Sequence, residues 1–185
     1  MPWTHPLSTL SVACGVVALA AGAIWQETKP DSRTVRAAGL RFDIPKEWKS
    51  VSPRNEMRKA EIQIPPVEGD TEVAELVLSV FPGGAGGVEA NVQRWQRQFT
   101  DASGSNPAVE STRIKGQNVE ITRVELAGTY TDPFSAAGPR KGYRLLGAIV
   151  PTADSAYFFK LVGPDKTVLS ARPGFDTMLR SIELE

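Results

Sequence analysis

The chain contains several short stretches in which hydrophobic and polar positions alternate. In "LRFDIP", Leu40, Phe42 and Ile44 fall on one face, and a proline ends the run. The same pattern recurs in "MRKAEIQIP" and in "EVAELVLSVF". Such period-two patterns are typical of β-strands with one buried face. The stretches "VESTRIKG" and "NVEITRVEL" predict two further strands, joined as a hairpin at 116–117.

Two later stretches, "YRLLGAIV" and "AYFFKLV", are apolar almost throughout. This pattern predicts central strands that are covered on both faces. Val88, Val92, Trp95 and Phe99 recur at helical spacing and predict an amphipathic helix over 88–99. At the end of the chain, "GPDKTVLSA" predicts a short helix, and "PGFDTMLRSIEL" predicts a second, docked one. The expected fold class is therefore α+β, with an antiparallel sheet of about six or seven strands sandwiched by helices.

An uncharged apolar stretch lies near the amino terminus, from Leu7 to Trp25. As a helix its 19 or so residues would reach roughly 28 Å, close to the thickness of a bilayer core. We expect residues 1–25 to be a signal peptide or membrane anchor, with 7–25 in contact with the membrane. Three alternatives stay open: a retained anchor, a cleaved signal, or a lipoprotein attached through Cys14.

The organisation that follows is a polar linker over 26–38 and one domain over 39–185. Basic residues follow the apolar run, and on the positive-inside rule alone they would keep the domain in the cytoplasm. Glu27 and Asp31 dilute these charges. We therefore expect the domain to lie in the cell envelope, outside the cytoplasm, either anchored to the cytoplasmic membrane or exported.

Composition excludes several kinds of chemistry. The 185 residues have a formal net charge of zero, which argues against a nucleic-acid partner. The single cysteine, Cys14, and the single histidine, His5, both lie in the leader. The domain therefore cannot build a Ser–His–Asp or Cys–His site, or the usual zinc ligand sets, from its own residues. We predict no catalytic residues, no metal and no cofactor.

A glycine-rich stretch, "VFPGGAGGVEANVQRW", separates a predicted strand from the predicted helix. A phosphate-binding P-loop needs Lys and then Ser or Thr after its last glycine, whereas Val88 and Glu89 follow here. The dinucleotide-binding pattern would require a glycine where Glu89 stands. We favour a tight reversal through positive φ angles, in which a buried Asn91 bonds the amides of the loop.

The alternative for this stretch is a site at which mobile glycines admit a ligand or a partner. Its candidate binding residues are Gly84, Gly86, Asn91, Arg94 and Trp95.

A second candidate site is the predicted long loop over Ala127–Gly142. At about 16 residues it is longer than most connections, and such loops are often functional. Tyr130, Phe134 and Arg140 are its candidate binding residues, since aromatic and basic side chains suit recognition of a partner. The alternative is that Tyr130 and Phe134 only tie the loop to the domain.

The stretch "GLRFDIPKEW" resembles the opening strand of PsbP-like domains, and "AYFFKLVGPDKTVLSARPGFDTMLRSI" resembles their closing strand and helices. The glycine-rich stretch is similar to one in uncharacterised bacterial exported proteins of that fold. The resemblance covers Ala37 to Glu185 and implies a central antiparallel sheet between helical layers. It also implies binding rather than catalysis, because PsbP is an extrinsic subunit that docks on photosystem II and a eukaryotic relative binds a small GTPase. No metal or partner motif of those proteins matches residues here.

Three functions follow from this reasoning. The first is a non-catalytic binding or assembly module outside the cytoplasm, with an unknown protein or small molecule as its partner. The second is a carrier of an apolar small molecule held between sheet and helix, which would need an apolar cavity. The third is a hydrolase that uses two carboxylates, one of them with a raised pKa.

Overall fold

The structure, a computed structural model, describes Met1 and residues 31–185. The predicted leader, apart from Met1, and the first residues of the predicted linker lie outside the described residues. Within residues 31–185, no helix is both long and apolar enough to cross a membrane.

Eleven strands and two α-helices make up the described part of the chain. The strands are β1 (Ser32–Ala37), β2 (Leu40–Pro45), β3 (Lys49–Val51), β4 (Arg58–Ile64), β5 (Ala74–Pro82), β6 (Phe99–Thr100), β7 (Glu110–Lys115), β8 (Glu120–Tyr130), β9 (Arg140–Pro151), β10 (Ser155–Pro164) and β11 (Glu183–Leu184). The helices are α1 (Gly87–Gln96) and α2 (Asp165–Ser181), and a 3₁₀ turn (Gly83–Gly86) precedes α1.

The strands form two antiparallel sheets. The large sheet has the order β3-β4-β5-β10-β9-β8-β6, and β7 also pairs with β8. The small sheet has the order β1-β2-β11 and packs with α2. This architecture confirms the predicted α+β class with an antiparallel sheet and packed helices. The strand count exceeds the predicted six or seven because several very short strands carry too little pattern to be recognised.

The large sheet separates two hydrophobic cores. The first lies between this sheet, α2 and the small sheet, where Phe42 meets Phe159 edge-on with ring centroids 5.2 Å apart. The second lies between the large sheet and α1, where Trp95 meets Phe158 edge-on at 6.2 Å. Both arrangements are the geometry that aromatic quadrupoles prefer. The strands β9 and β10 lie in the middle of the sheet and contribute side chains to both cores, as their continuous apolar runs predicted.

The helix predicted over 88–99 is shorter than expected, since α1 ends at Gln96. Phe99 instead lies in β6, where it pairs with Tyr130 and is fully buried. Phe99 belongs to the same hydrophobic core as Trp95 although it lies after the end of α1. The apolar spacing therefore continues beyond the last residue of the helix. The two predicted C-terminal helices are one helix, α2, with Pro173 inside it. A proline removes one backbone donor, and the packed apolar face of α2 holds the helix together across it.

Two predicted boundaries also differ. The predicted linker over 26–38 includes a strand, because Ser32–Ala37 pairs with Leu40–Pro45. The predicted loop over 127–142 is shorter, because β8 continues to Tyr130 and β9 begins at Arg140. The connection between these strands is therefore 131–139. The polar residues of both segments are typical of loops, yet their backbone groups form the hydrogen bonds that pair β1 with β2 and extend the pairing of β8 with β9.

Candidate functional site

Two stacked tyrosines lie where β8 and β9 approach the loop 131–139. The rings of Tyr130 and Tyr143 are nearly parallel, with centroids 6.0 Å apart. The Tyr143 hydroxyl donates to Glu72 at 2.9 Å, and Arg140 lies over the Tyr143 ring at 5.7 Å. Aromatic stacking and the cation–π contact together hold the ends of both strands in place. Of the predicted loop residues, Tyr130 and Arg140 therefore belong to a structured base.

Lys160 on β10 extends this base under the tyrosines. Its ammonium donates to Gln98 Oε1 at 2.5 Å and to the Tyr130 hydroxyl at 3.2 Å. Burial lowers the pKa of Lys160 to about 8. Burial also raises the pKa of Tyr130, so the phenol stays neutral and accepts from the ammonium.

We predict that the stability contribution of Lys160 depends on pH. Its folded pKa of about 8 lies below the value of about 10.4 for an exposed lysine. Between these values the unfolded chain binds the proton more tightly, so stability at this site rises with pH. Urea melts from pH 7 to pH 9.5 should show wild type gaining on the order of 1 to 2 kcal/mol relative to Lys160→Met. The exposed Lys115→Met serves as a control, and parallel curves for wild type and Lys160→Met would contradict the prediction.

The loop 131–139 is ordered by its own hydrogen bonds and presents one aromatic ring to solvent. The Asp132 carboxylate accepts from the Phe134 amide at 2.9 Å, and the Ser135 hydroxyl accepts from the Ala137 amide at 3.2 Å. These side chain–backbone bonds define tight local turns. Phe134 is 95% exposed. The alternative in which both aromatics only tie down the loop is wrong for Phe134, because its ring packs on nothing.

The glycine-rich turn performs the predicted reversal. Five successive residues, 83–87, have positive φ, including Ala85. Asn91 is buried and donates to the carbonyl oxygens of Ala85 (3.1 Å) and Gly87 (2.6 Å). The expected partners were loop amides, so this detail was wrong: the Asn91 amide nitrogen is the donor, and its oxygen accepts from Arg94. Asn91 thus locks the turn to the helix that follows it.

The candidate residues of the glycine-rich stretch are not brought together with the loop 131–139. The Gly83 amide donates to Asp154 in the turn after β9, whereas the loop precedes β9. The 12 residues of β9 separate the two by about 35 to 40 Å. A small depression of about 170 Å³ lies beside Gly84. Trp95 is only 6% exposed and belongs to the core, so it has no surface for a ligand.

A cluster of arginines and carboxylates, not anticipated from the sequence, lies between β8 and α2. Glu125 is 3% exposed and accepts from Arg123, Arg144 and Arg172. Burial alone would raise the pKa of Glu125, but hydrogen bonds from the arginines lower it below the usual value. Arg123 also bonds Asp176 at 2.7 Å, and Arg144 bonds Asp165 at 2.8 Å. We call these three arginines and three carboxylates the arginine cluster.

One sequence signal for this cluster existed. In β8, Arg123 and Glu125 alternate with Val124 and Leu126, and both sets are buried. A central strand with charges on one face implies that these charges are paired inside the protein. The partners on α2 lie about 50 residues away in the chain, so the sequence could not identify them.

A second buried carboxylate, Glu61, is held by Arg54 at 2.7 Å and Arg58 at 3.1 Å. Burial raises the pKa of Glu61, but the hydrogen bonds and positive charges of these arginines lower it by more, so the pKa lies below its usual value. Glu61 and Glu125 are thus both ionised at neutral pH, and neither has the raised pKa of a general acid. Among residues 31–185, no group of three or more acidic, histidine or cysteine side chains is placed to hold a metal ion.

Two surface grooves accompany these clusters. One of about 410 Å³ lies beside the arginine cluster, between β7, β8 and α2. The other, of about 520 Å³, lies between the end of β2 and α2 and is lined largely by apolar atoms, including Ile44, Pro45 and Pro173. The space between the large sheet and α2 is itself filled by side chains such as Phe159 and Phe175.

An antiparallel sheet with helices on both faces is the class of fold that these elements define. No protein-family model and no curated protein matches the chain. Among solved structures, the cyanobacterial PsbP (CyanoP) of Synechocystis sp. PCC 6803 is 15% identical, with a TM-score of 0.54 over 94% of this chain and 98% of that one. LpqN of Mycobacterium tuberculosis, described as involved in cell envelope biogenesis, is 7% identical, with a TM-score of 0.53 over 83% and 90%.

A third structure, a protein from Bacteroides thetaiotaomicron, is 12% identical, with a TM-score of 0.51 over 84% of this chain. The present chain spans about half the length of that protein, covering 48% of it. These likenesses establish that the chain has a PsbP-like fold, as the resemblance in its sequence implied.

Proposed function

We propose that the chain is a non-catalytic binding or assembly module of the cell envelope, and that the tip of the loop 131–139 is its contact surface. The observation that carries the proposal is the exposure of Phe134, which is 95% accessible on an ordered loop. An exposed ring gains apolar contact area only when another molecule covers it. Large aromatic side chains are frequent anchors of protein interfaces.

The surroundings of Phe134 support recognition of a partner. The loop stands on the stacked Tyr130 and Tyr143, so little conformational freedom is lost when its tip is covered. Val73, next to Glu72, is 46% exposed, and Glu72 contacts Arg140 and Tyr143 at the base of the loop. The contact surface thus combines apolar tips with a charged rim, which is the usual composition of an interface.

A location outside the cytoplasm is part of this proposal. The apolar stretch over 7–25 supports it, because such a stretch directs or anchors a chain to a membrane. The likeness to LpqN is compatible with it, since that protein is described as involved in cell envelope biogenesis. A membrane contact through 7–25 and the absence of a nucleic-acid partner remain predictions.

We predict that Phe134→Ala weakens the binding of a partner without destabilising the domain. Truncating an interface anchor typically costs about 2 kcal/mol or more, so the affinity for the partner should fall by roughly 30-fold and its recovery should fall with it. The free energy of unfolding should change by less than about 0.5 kcal/mol, because the ring packs on nothing. The measurement is quantitative affinity purification of the tagged full-length chain from native membranes, with mass spectrometry of bait and partners.

Met57→Ala provides a matched control, because Met57 is also a large exposed apolar residue, 62% accessible, and it lies outside this loop. A partner that is retained by wild type and Met57→Ala but lost with Phe134→Ala supports the proposal. Equal recovery with all three chains would show that the loop tip is not the contact surface. The amino-terminal peptide of the bait also reports whether residues 1–25 are cleaved, lipidated at Cys14 or retained.

A carrier of an apolar small molecule is the second candidate function. The largely apolar groove of about 520 Å³ beside Ile44 and Pro173 favours it, because this volume suits a ligand of drug-like size. Native mass spectrometry of the purified chain before and after denaturation would detect a retained molecule. Thr177→Trp would fill the groove, and unchanged retention in that variant would place the ligand elsewhere.

A further inference from the structure

Lys160 on β10 carries an amine that has no negatively charged partner. Among residues 31–185, no carboxylate lies within salt-bridge distance of its ammonium, and its two acceptors, Gln98 Oε1 and the Tyr130 hydroxyl, are both neutral. The Tyr130 ring centroid lies 5.1 Å from Nζ. A cation–π contact of this kind compensates a partly buried charge less than a hydrogen-bonded carboxylate does. The protein therefore stabilises the charged form of this amine poorly.

The residue lies at the border of the core between α1 and the large sheet. On one side it pairs with Gly147 of β9, the position that the Trp95 ring covers. On the other side it pairs with Val77 of β5, which is partly exposed. Lys160 is itself only partly buried, and its third N–H position has no acceptor among residues 31–185. This third position is the one at which a small molecule can meet the nitrogen.

Neighbouring elements set the balance between ammonium and neutral amine. Burial is the main cause that lowers the pKa of Lys160 to about 8, and the positive charge of Arg58 on β4 lowers it further. The carboxylate of Asp132 in the loop 131–139 acts in the opposite direction. At pH 7 about one-tenth of Lys160 is then neutral, compared with about one in 2,500 for an exposed lysine with a pKa of about 10.4. Desolvation beside another cation is a known way of activating a lysine nucleophile.

We propose that Lys160 is a covalent binding site for a ligand that carries an electrophilic carbonyl group. The neutral Nζ attacks the carbonyl carbon and forms a C–N bond. With an aldehyde, the carbonyl oxygen leaves as water together with the two amine protons, and an imine remains. With an activated ester, the alkoxide leaves, one amine proton passes to solvent, and an amide remains. The site is separate from the exposed tip of the loop 131–139, so it goes beyond the proposed contact surface and does not depend on it.

Labelling of the full chain, solubilised in uncharged detergent, tests the proposal. The probes are the N-hydroxysuccinimide ester of acetic acid, and benzaldehyde with cyanoborohydride, which reduces the imine to a stable secondary amine. Peptide mass spectrometry compares Lys160 with the exposed Lys115 of the same molecules. We expect Lys160 to react at least about tenfold faster at pH 7, less than the about 200-fold ratio of neutral amine because partial burial slows the approach of the probe. Its rate should level off above about pH 8, whereas the rate of Lys115 should keep rising to about pH 10.

Gln98→Glu is the matched variant, because it places a carboxylate of the same size against the Lys160 ammonium. An opposite charge at this distance favours the ammonium, so Lys160 should react at least about tenfold more slowly. Gln93→Glu, at an exposed glutamine on α1, should leave its rate unchanged. Preferential labelling by one of the two probes shows which carbonyl class the site takes.

Two results would overturn the proposal: Lys160 reacts no faster than Lys115 in the wild-type chain, or it reacts equally fast in wild type and Gln98→Glu. Circular dichroism shows whether each variant is folded. If Gln98→Glu does not fold, the comparison of Lys160 with Lys115 across pH in the wild-type chain decides the question alone.

Discussion

Trp95→Ala should lower the free energy of unfolding by about 3 to 5 kcal/mol. The ring is 6% exposed and meets Phe158 edge-on at 6.2 Å in the core between α1 and the large sheet. Gly147 on β9 leaves the space that the ring fills, and a Cβ atom there would collide with it. Removing the ring therefore opens a cavity that its rigid neighbours cannot fill. Urea denaturation followed by far-UV circular dichroism measures the loss.

Gln93→Ala on the same helix is the control, since Gln93 is exposed and its side chain hydrogen-bonds the exposed Glu89 on α1. It should change stability by less than about 0.5 kcal/mol. A loss below about 1 kcal/mol for Trp95→Ala would refute the packing described above.

Glu125→Gln should destabilise the domain by about 3 to 5 kcal/mol at pH 7. The substitution removes the charge that faces Arg123, Arg144 and Arg172, and it leaves these guanidinium groups partly buried with less compensation. Glu110→Gln is the natural comparison, because Glu110 lies directly opposite Glu125 in the pairing of β7 with β8 but is exposed. Its substitution should cost less than about 0.5 kcal/mol.

The effect of Glu125 also has a defined pH dependence. Burial raises the pKa of Glu125, but the arginines lower it by more. Its pKa in the folded protein therefore lies below its unfolded value of about 4.5. Its contribution is therefore complete above about pH 4.5 and is lost as the pH falls through the folded pKa. The difference between wild type and Glu125→Gln should shrink below pH 4.5. A difference that stays constant down to pH 3 would contradict the role of the ionised carboxylate.

The sequence was most informative where one physical requirement controls a whole element. Alternation at Leu40, Phe42 and Ile44 predicted β2, and the apolar runs predicted β9 and β10 in the middle of the sheet. The burial of one or both faces of a strand determines which of its positions are apolar, so these strands can be recognised from a short stretch of sequence. Element ends were less well predicted, because Phe99 keeps the helical spacing although it lies in a strand.

The candidate sites were predictable only in part. The exposed loop around Phe134 could be recognised by its length and composition, and the positive φ angles at Gly84 and Gly86 by their residue type. The arginine cluster could not, because Arg123 meets Asp176 across 53 residues of sequence. Contacts of that range depend on how α2 is placed over the sheet, which no local pattern specifies.

The position of β7 has a consequence for self-association. In the described part of the chain, β7 pairs only with β8, so its other side presents unpaired backbone groups. An exposed strand edge of this kind can template the addition of a strand from a second molecule, which leads to aggregation. Three of its six residues, Glu110, Arg113 and Lys115, are charged. Charged side chains on an exposed edge are one of the features by which proteins disfavour such pairing, so we expect this strand, which also borders the groove beside the arginine cluster, to resist the addition of a second copy.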